Sequence, residues 1–371
     1  MRTAIVHYWL VADRGGEKVV RALCEMVPDA VIFTHVSDPR VANALFPGRE
    51  VRTSFISRLP FARRHYQKYL PLMPMALEEL DLGEFDLVIS SESGPAKGVI
   101  PRPSATHVCY CHSPMRYLWD QYHLYRRTAG PAARLLFPPI AHRLRQWDVT
   151  AAARVDAFVA NSKFVAARIN KYYRRTASVV HPPVEIEAFS SLKRGADQDL
   201  ADAYLWVGQL TAYKNPELAV RAANRLGRRL IVIGDGDRLK SLRAIAGKNV
   251  VFAGRADEET LRRAYASCRA LIFPGEEDFG IVPIEAMAAG LPVIALNAGG
   301  AAETVAHMRS GILFDIATEE ALIAAIRKFE THESDFNSQE IRASVQRFDK
   351  RAFKSGMAKI FHSFGIETKV D

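Results

Sequence analysis

The sequence predicts an α/β fold made of two parallel-sheet domains. Short apolar runs, from TAIVHYWL near the start to LPVIAL at residues 291–296, alternate with amphipathic segments along the chain. Strands that alternate with helices in this way form parallel sheets joined by right-handed crossovers. The chain has 371 residues, which is more than one hydrophobic core usually serves, so we expect two domains.

The first domain is predicted over residues 1–185. Its strands are expected in five apolar runs: TAIVHYWL, DAVIFTHV, FDLVISS, ATHVCYCH and DAFVA. After the fifth run, Ser162 stands where a side-chain oxygen would cap the next helix. Pro182 and Pro183 cannot continue a helix, so they mark the start of the crossing to the second domain.

The second domain is predicted over residues 186–345, with strands in AYLWVG, RRLIVIG, NVVFAG, CRALIFP and LPVIAL. A segment of helical character follows each of these runs. The last residues, 346–371, belong to an amphipathic pattern that extends from about 341 to 364. We predict that this C-terminal helix packs back on the first domain.

The composition favours a reducing, aqueous compartment. Four scattered cysteines do not make a disulfide scaffold. No apolar run is long enough for a signal peptide or a membrane span, so we expect a cytoplasmic protein whose membrane contact is peripheral. Cys109, Cys111 and His112 could hold a metal, but no second ligand cluster accompanies them and strand alternation explains the cysteines. No metal site is therefore predicted.

The formal charge of +9 is placed entirely in the first half of the chain. Residues 1–185 hold 25 basic and 16 acidic residues, whereas the rest of the chain holds 25 of each. Two windows without acids, 51–77 and 121–147, interleave arginine and lysine with aromatic residues. This pattern suits an anionic membrane surface or a polyphosphate headgroup. Nucleic acid and a solvated basic face are alternatives, although no nucleic-acid-binding motif is visible.

The stretch of residues 274–303 carries the strongest functional signal. It places Glu277 in a loop after an apolar strand and Glu285 about one turn into the following helix, and a glycine-rich strand outlet comes next. Carboxylates accept hydrogen bonds from sugar hydroxyls. The amides of residues 279–282, at the helix start, suit an anion such as a diphosphate. Acids placed favourably in the helix dipole would explain one glutamate but not the whole arrangement.

Other candidate residues stand at further strand outlets. Gly15 and Gly16 would let a backbone approach a phosphate or sugar, or would form a plain tight turn. Lys214, after AYLWVG, would reach a phosphate oxygen unless it is only solvated. His112 opens the polar and aromatic run HSPMRYLWDQY. GDG at residues 234–236 lacks the third glycine of a dinucleotide fingerprint and no P-loop occurs, so neither of those nucleotide sites is predicted.

Taken in order, these motifs resemble those of the retaining glycosyltransferases of family 4, which have the GT-B fold. The resemblance covers nearly the whole chain and rests on RGGEKVVRAL, VGQLTAYKNPELAV, GDG, VFAG and PGEEDFGIVPIEAMAAGLPVIALNAGGAAETV. The run YCHSPMRYLWDQY further resembles bacterial mannosyltransferases that build lipopolysaccharide O-antigen or exopolysaccharide. The resemblance implies two Rossmann-like domains that face each other across a cleft. It implies a nucleotide-sugar donor but no metal or other cofactor.

The resemblance also implies roles for individual residues. Glu277 would hold the donor sugar, Glu285 the ribose of the nucleotide, and Lys214 the diphosphate leaving group. His112 would contact the transferred sugar, and Arg255 would lie near the base. The implied catalytic residues are His112, Glu277 and Lys214. The implied donor contacts are Gly15, Gly16, Gln209, Lys214, Arg255, Phe279, Gly280, Ile281 and Glu285.

One position departs from the family pattern. Family members usually carry an arginine that shares the diphosphate with the lysine, and this chain has Gln209 there, which brings no charge. Arg238, Arg255 or another cation would have to substitute for that arginine.

The expected function is transfer of mannose from GDP-mannose to a lipid-linked saccharide, by a peripheral enzyme at the inner face of the cytoplasmic membrane. A UDP- or dTDP-sugar is an alternative donor. A nucleotide-sugar epimerase, which needs no acceptor, is a further alternative. A non-catalytic nucleotide-sugar-binding protein is another, and Gln209 is the feature that favours it.

Overall fold

The computed structural model describes residues 1–195 and 197–369, and the chain divides into two compact units. Unit 1 contains Met1–Pro183 together with the chain from Phe353, and unit 2 contains Val184–Ala352. The boundary follows the Pro182–Pro183 pair directly, two residues before the predicted boundary. Two consecutive prolines lack amide donors, so the chain leaves the sheet of unit 1 at this point.

Unit 1 is built on a parallel sheet. Its described strands are β1 (Thr3–His7), β2 (Val31–Thr34), β3 (Val51–Thr53), β4 (Leu87–Glu92), β5 (Thr106–Cys111), β6 (Ala157–Ala160) and β7 (Ala177–Val179). They follow the order β3-β2-β1-β4-β5-β6-β7. β1, β2 and β4 are buried along their whole length, as parallel strands covered on both faces are. The order reverses between β1 and β4, and open α/β sheets bind ligands at the carboxyl ends of the strands at such a switch point.

The sequence does not predict β3 or β7. Both have three residues and are only partly buried or exposed, and they form the two edges of the sheet. They therefore lack the buried apolar run that identifies the central strands.

Helices connect the strands of unit 1. They are α1 (Gly15–Met26), α2 (Pro39–Leu45), α3 (Ala62–His65), α4 (Met73–Glu78), α5 (Tyr122–Thr128), α6 (Pro131–Ala152) and α7 (Lys163–Tyr173). The predicted cap of α7 is confirmed, because Ser162 Oγ accepts a hydrogen bond from the Val165 amide at 3.1 Å. In the described part of the chain, no helix is long and apolar enough to cross a membrane.

A buried group of three charges ties α6 to the sheet of unit 1. Lys97 Nζ lies 3.0 Å from Glu92 Oε1 at the end of β4, and it also pairs with Asp148 of α6. All three side chains are fully buried. Asp148 accepts further hydrogen bonds from Trp119 Nε1 at 2.8 Å and from the Tyr173 hydroxyl at 2.9 Å. Removal of one partner would leave a buried charge unpaired, so this network fixes the position of α6.

Unit 2 repeats the plan with another parallel sheet. Its described strands are β8 (Tyr204–Val207), β9 (Leu230–Ile233), β10 (Val250–Gly254), β11 (Leu271–Phe273), β12 (Val293–Leu296) and β13 (Gly311–Phe314), in the order β10-β9-β8-β11-β12-β13. The helices are α8 (Glu187–Ser190), α9 (Pro216–Leu226), α10 (Leu239–Ile245), α11 (Glu258–Ser267), α12 (Ile281–Ala288), α13 (Ala301–Thr304), α14 (Glu319–Thr331) and α15 (Ser338–Ser344). The order of this sheet reverses between β8 and β11. The sequence predicts each of these strands except β13.

The C-terminal segment is not one continuous helix, which corrects the prediction of a helical pattern from about 341 to 364. α15 ends at Ser344, and α16 (Lys350–His362) begins after a break. Asp349 makes this break, because its carboxylate accepts the Ala352 amide at 2.6 Å and caps a new helix. Three side chains of α16 are buried in the apolar core of unit 1: Phe353, Met357 and Phe361.

Candidate functional site

Two strand outlets of unit 2 are packed backbone against backbone. The Gly300 amide, after β12, donates to the Glu277 carbonyl, after β11, at 2.9 Å. A Cβ at Gly299 would overlap that carbonyl oxygen, and a Cβ at Gly300 would overlap the carbonyl oxygen of Phe279. Only glycine permits such a close approach, so this pair fixes the acidic loop against the next outlet.

Lys214 and Glu277 form an ion pair at this edge of the sheet. Lys214 Nζ lies 2.8 Å from Glu277 Oε1, and 14% and 18% of the two side chains are exposed. Lys214 follows β8 and Glu277 follows β11, so the pair joins the two strands between which the sheet order reverses. Gly275 lies against the lysine backbone, where a Cβ would come within 2.6 Å of the Lys214 Cα.

Lys214 is a cation in this setting. Burial lowers the pKa of its ammonium group, but the ion pair with Glu277 more than offsets this, and the pKa lies above its usual value. A charged and mostly buried amine at a switch point is suited to neutralise an anionic ligand.

Glu285 lies about one turn into α12 and is 9% exposed. The Tyr265 hydroxyl, on α11, donates to Glu285 Oε2 at 3.2 Å. Burial, and then the Glu285 carboxylate, raise the pKa of Tyr265 well above its usual value, so the phenol stays protonated and continues to donate. Tyr265 therefore orients Glu285. The sequence gives no signal for this tyrosine, because its role depends on how α11 packs against α12.

The start of α12 lies directly after the acidic loop. Gly280 adopts the left-handed conformation, with φ of 86°, and turns the chain into the helix. Phe279 is buried and meets Phe348 edge-on, with ring centroids 5.6 Å apart. The first-turn amides, including that of Ile281, have no partner within the helix and point towards its N-terminal end, where anions are favoured.

Gln209 stands at the same strand outlet as Lys214. It follows Gly208 at the end of β8, and its side chain is exposed. A Cβ at Gly208 would lie 3.3 Å from Lys214 Nζ. Gly208, the residue before Gln209, therefore packs against the Lys214 side chain, and Gln209 and Lys214 share the outlet of β8.

The two arginines considered as substitutes pair with acids of their own. The Arg255 side chain is 87% exposed and lies 3.7 Å from Asp235 Oδ2. Arg238 lies 2.5 Å from Glu217 Oε1. Neither of these ion pairs involves Lys214 or Glu277.

In unit 1, a series of polar side chains leads to His112. His112 Nε2 lies 2.9 Å from Ser91 Oγ, which lies 3.0 Å from His7 Nδ1. His7 Nε2 in turn lies 3.8 Å from Glu17 Oε1. Ser91, His7 and Glu17 are buried. The series connects the first turn of α1 with the carboxyl ends of β1, β4 and β5.

His112 is neutral at physiological pH. Burial, and then the nearby His7, lower the pKa of His112 to about 3. A neutral imidazole carries one donor and one acceptor nitrogen. It can therefore bind a sugar hydroxyl, but it does not supply a cationic acid.

The glycine pair of unit 1 lies in the first turn of α1, which begins at Gly15. A Cβ at Gly16 would lie 2.5 Å from the Tyr8 hydroxyl oxygen. The missing side chain thus makes room for Tyr8. Burial, and then the Glu17 carboxylate, raise the pKa of that phenol.

The sequence reasoning does not single out His7, Ser91 or Glu17 as parts of a site. Glu17 does carry a usable signal. It shares the buried face of α1 with Val20 and Cys24 at the spacing i, i+3 and i+7. A carboxylate on an apolar face is rarely buried without a polar partner. His7 and Ser91 are polar residues at the ends of buried strands and carry no comparable signal.

The cysteines of β5 belong to the apolar core. Cys109 and Cys111 are buried in one cluster with Phe158 and Val165. Within residues 1–195 and 197–369, no group of three or more histidine, cysteine, aspartate or glutamate side chains is placed to hold a metal ion.

Sequence models of known families match both units. A model described as Glycosyltransferase Family 4 matches residues 14–188, and one described as Glycosyl transferases group 1 matches residues 192–352. The chain carries a family 4 and a group 1 glycosyltransferase domain. These are the two domains whose sheets and strand outlets are described above.

Solved structures share the fold of these glycosyltransferase domains. A sucrose-phosphate synthase from Thermosynechococcus elongatus aligns with a TM-score of 0.74 and 18% identity, over 98% of this chain and 99% of that one. The Anabaena protein HepE, solved with UDP and glucose, aligns with a TM-score of 0.70 and 17% identity, over 97% and 99%. The prediction of two parallel-sheet domains with the GT-B fold is confirmed.

Curated relatives match a part of the chain. A GDP-mannose-dependent alpha-mannosyltransferase of Mycolicibacterium smegmatis is 40% identical over 124 residues, which are 33% of this chain and 32% of that protein. A D-inositol 3-phosphate glycosyltransferase of Mycobacteroides abscessus is 30% identical over 179 residues, which are 43% of this chain and 40% of that protein. The chain thus spans about a third to two fifths of the length of these relatives.

Proposed function

We propose that the protein is a retaining glycosyltransferase that transfers mannose from GDP-mannose to a lipid-linked saccharide in bacterial surface polysaccharide synthesis. The observation that carries the proposal is the Lys214–Glu277 ion pair at the switch point of the unit 2 sheet, beside the start of α12. It combines a buried cation for a diphosphate with a carboxylate for sugar hydroxyls.

Each part of the donor has a partner in this proposal. The Lys214 ammonium and the first-turn amides of α12 offset the charge of the diphosphate. Glu285, oriented by Tyr265, accepts hydrogen bonds from the ribose hydroxyls. Glu277 accepts hydrogen bonds from hydroxyls of the sugar. Because the amine and the amides neutralise the diphosphate, we expect transfer to continue in the presence of EDTA, and loss of activity on chelation would overturn this point.

The proposed chemistry is a substitution at the anomeric carbon with retention. The bond from C1 of the sugar to the diphosphate oxygen breaks, and a bond from C1 to the acceptor oxygen forms on the same face. The acceptor proton passes to the departing phosphate oxygen. Lys214 and the α12 amides stabilise the negative charge that grows on the leaving group. For His112 we propose a hydrogen bond to the transferred sugar, with Ser91 holding its Nε2 nitrogen.

Mannose and guanine are proposed because of the GDP-mannose-dependent relative. HepE, solved with UDP and glucose, makes a uridine nucleotide the first alternative. A thermal-shift comparison of GDP-mannose, UDP-glucose and a dTDP-sugar tests the choice. A ligand at 100 times its Kd adds about 2.7 kcal/mol to the stability of the protein that binds it. We expect GDP-mannose to give the largest rise in Tm. A larger rise with UDP-glucose would make UDP-glucose the proposed donor, and no rise with any of the three nucleotide sugars would overturn the proposal.

A non-catalytic nucleotide-sugar-binding protein is the second candidate. It is favoured because Gln209 brings no charge and because Arg238 and Arg255 pair with other acids. Incubation of the protein with GDP-mannose and a panel of lipid-linked saccharides separates the two functions. Binding without a glycosylated product across the panel would support the second candidate. Conversion of the donor sugar without an acceptor would instead reveal an epimerase.

We further propose that unit 1 binds an anionic membrane surface. Its acid-free windows expose large apolar side chains: Phe61 is 77%, Leu135 is 78% and Leu136 is 57% exposed. Apolar side chains among basic ones bind anionic lipid by insertion and by charge attraction. In co-sedimentation we expect binding to vesicles containing phosphatidylglycerol, and weaker binding after Leu135→Ser. Equal binding to neutral vesicles would contradict the charge contribution.

A further inference from the structure

A cavity of about 410 Å³ lies in unit 1 at the sheet edge that carries the His112 series. Three of its lining residues follow the strands of that series: Trp9 comes after β1, Ser93 after β4 and Tyr117 after β5. Two parts of the chain form the other wall. Leu70 and Met73 come from the residues that lead into and begin α4, and Tyr125 and Phe137 come from α5 and α6. Its volume falls within the range of about 300 to 1,000 Å³ that is typical of small-molecule sites.

The lining selects an apolar ligand. It consists mostly of aromatic and aliphatic side chains. Its polar groups are the Gln67 amide, the Ser93 hydroxyl, the phenols of Tyr117 and Tyr125, and the indole N–H of Trp9. A sugar ring carries several hydroxyls, and each buried hydroxyl without a partner costs free energy. A hydrocarbon chain has no such requirement. The chemistry of the wall therefore favours a hydrocarbon chain over a saccharide.

Three exposed cations are next in the chain to residues that line the cavity. Lys68 follows Gln67, Arg126 follows Tyr125 and Arg134 follows Ala133, and the side chains of all three cations are exposed. These residues belong to the two windows that contain no acid. An apolar cavity among cations is complementary to an amphiphile with a hydrocarbon chain and a phosphate head.

We propose that this cavity binds the first isoprene units of a polyprenyl diphosphate-linked acceptor, and that Lys68, Arg126 and Arg134 hold the diphosphate. The assignment rests on the proposed function, which supplies a lipid-linked acceptor. It adds that the carrier lipid, and not only the saccharide, is recognised by the protein. The network of Lys97, Glu92 and Asp148 fixes α6, which carries part of the wall.

Farnesyl diphosphate is a soluble probe for this site, and isothermal titration calorimetry measures its binding. Ala133→Trp fills the cavity, whereas Ala132→Trp adds the same ring at the adjacent exposed residue, which does not line the cavity. We expect Ala133→Trp to weaken farnesyl diphosphate binding roughly 10-fold or more and Ala132→Trp to leave it unchanged. Inorganic diphosphate should bind more weakly than farnesyl diphosphate. The affinity for inorganic diphosphate should be the same in both variants.

Two results would overturn the assignment. One is equal affinity of the native protein for farnesyl diphosphate and inorganic diphosphate, which would show that the hydrocarbon chain of the ligand contributes nothing to binding. The other is displacement of farnesyl diphosphate by lysophosphatidylglycerol with equal affinity, which would identify a general membrane-lipid pocket. GDP titrations on the same variants should be unchanged, because the donor site lies in unit 2.

A transfer assay distinguishes failure of this inference from failure of the proposed function. One saccharide is offered on a polyprenyl diphosphate and, separately, on a short hydrophilic aglycone. We expect Ala133→Trp to raise KM for the first acceptor only. Equal use of both acceptors, with no effect of Ala133→Trp, would overturn the cavity assignment and leave the transferase proposal in place. No product from either acceptor would count against the transferase proposal, whereas the farnesyl diphosphate titration would still test the cavity.

Discussion

Breaking the Lys214–Glu277 pair perturbs both the stability of unit 2 and its proposed donor site. At 2.8 Å and an effective dielectric constant of about 20, the attraction between the two charges is about 6 kcal/mol before desolvation. Desolvation of both groups opposes this attraction. Residues in contact typically show coupling energies of about 0.5 to 3 kcal/mol. We therefore expect a coupling of about 2 kcal/mol between Lys214 and Glu277.

Each single substitution should leave one charge of the pair without its partner. Glu277→Gln leaves a mostly buried ammonium without its counter-charge, and we expect a loss of about 2 to 3 kcal/mol in the free energy of unfolding, below the ~3 to 5 kcal/mol of fully buried pairs because both groups keep some contact with water. Lys214→Met leaves the Glu277 carboxylate, whose Oε1 atom is buried, without its counter-charge, and we expect a loss of the same size. The double variant should recover part of the loss. Urea unfolding, with hydrogen exchange read on peptides of unit 2, measures all four proteins.

Binding of GDP and GDP-mannose by the same variants separates the proposed role of Lys214 at the diphosphate from that of Glu277 at the sugar. Lys214→Met should weaken GDP binding by roughly 10- to 100-fold, since a hydrogen bond to a charged group contributes about 1.5 to 3 kcal/mol. Glu277→Gln should leave GDP affinity nearly unchanged but remove the advantage of GDP-mannose over GDP. Strictly additive stability effects, together with GDP affinity that does not respond to Lys214→Met, would show that the two residues are not coupled and that Lys214 does not contact the diphosphate.

Three further predictions concern other parts of the molecule. Gln209→Arg should tighten GDP binding roughly 10-fold by adding a cation at the β8 outlet that carries Lys214, and calorimetry showing no gain would contradict a role for this position at the diphosphate. Gly300→Ala should lower the free energy of unfolding by about 1 to 3 kcal/mol, because its Cβ would overlap the Phe279 carbonyl, whereas Gly130→Ala, with open space around it, should cost little. Acidification from pH 7 to pH 5 should lower Tm. Burial depresses the pKa of His35 and of His107 to about 4 and that of His112 to about 3, below the unfolded value of about 6.5. The unfolded state therefore takes up protons first, and stability falls by at most about 1.4 kcal/mol per histidine and pH unit. Glu92, whose pKa burial raises to about 7, opposes this by one group, and a Tm that rises on acidification would contradict the prediction.

The central strands could be predicted from the sequence because parallel strands covered on both faces must be continuous apolar runs. The edge strands β3 and β7 could not, because an edge strand tolerates exposed residues and gives no such run. The break between α15 and α16 is equally hard to read. An amphipathic pattern continues through it, and only the hydrogen bond from the Ala352 amide to the Asp349 carboxylate shows where one helix stops.

The candidate site of unit 2 could also be predicted only in part. Lys214 and Glu277 stand at strand outlets, and the topology of a doubly wound sheet brings such outlets together. Their direct ion pair could not be predicted, because it depends on the glycines that let the two loops approach. Tyr265, which orients Glu285, lies on another helix and reaches it only through tertiary packing.

Hydrogen–deuterium exchange of the native protein with and without GDP-mannose shows whether the donor binds at the Lys214–Glu277 pair of unit 2. We expect slower exchange in two segments of unit 2, residues 208–216 and residues 275–290, because the diphosphate and the nucleotide would contact their amides and side chains. Titration to saturation should give the same protection with GDP in residues 208–216. Protection confined to other parts of the chain, or no protection at a saturating concentration of any nucleotide sugar, would contradict a donor site at this pair.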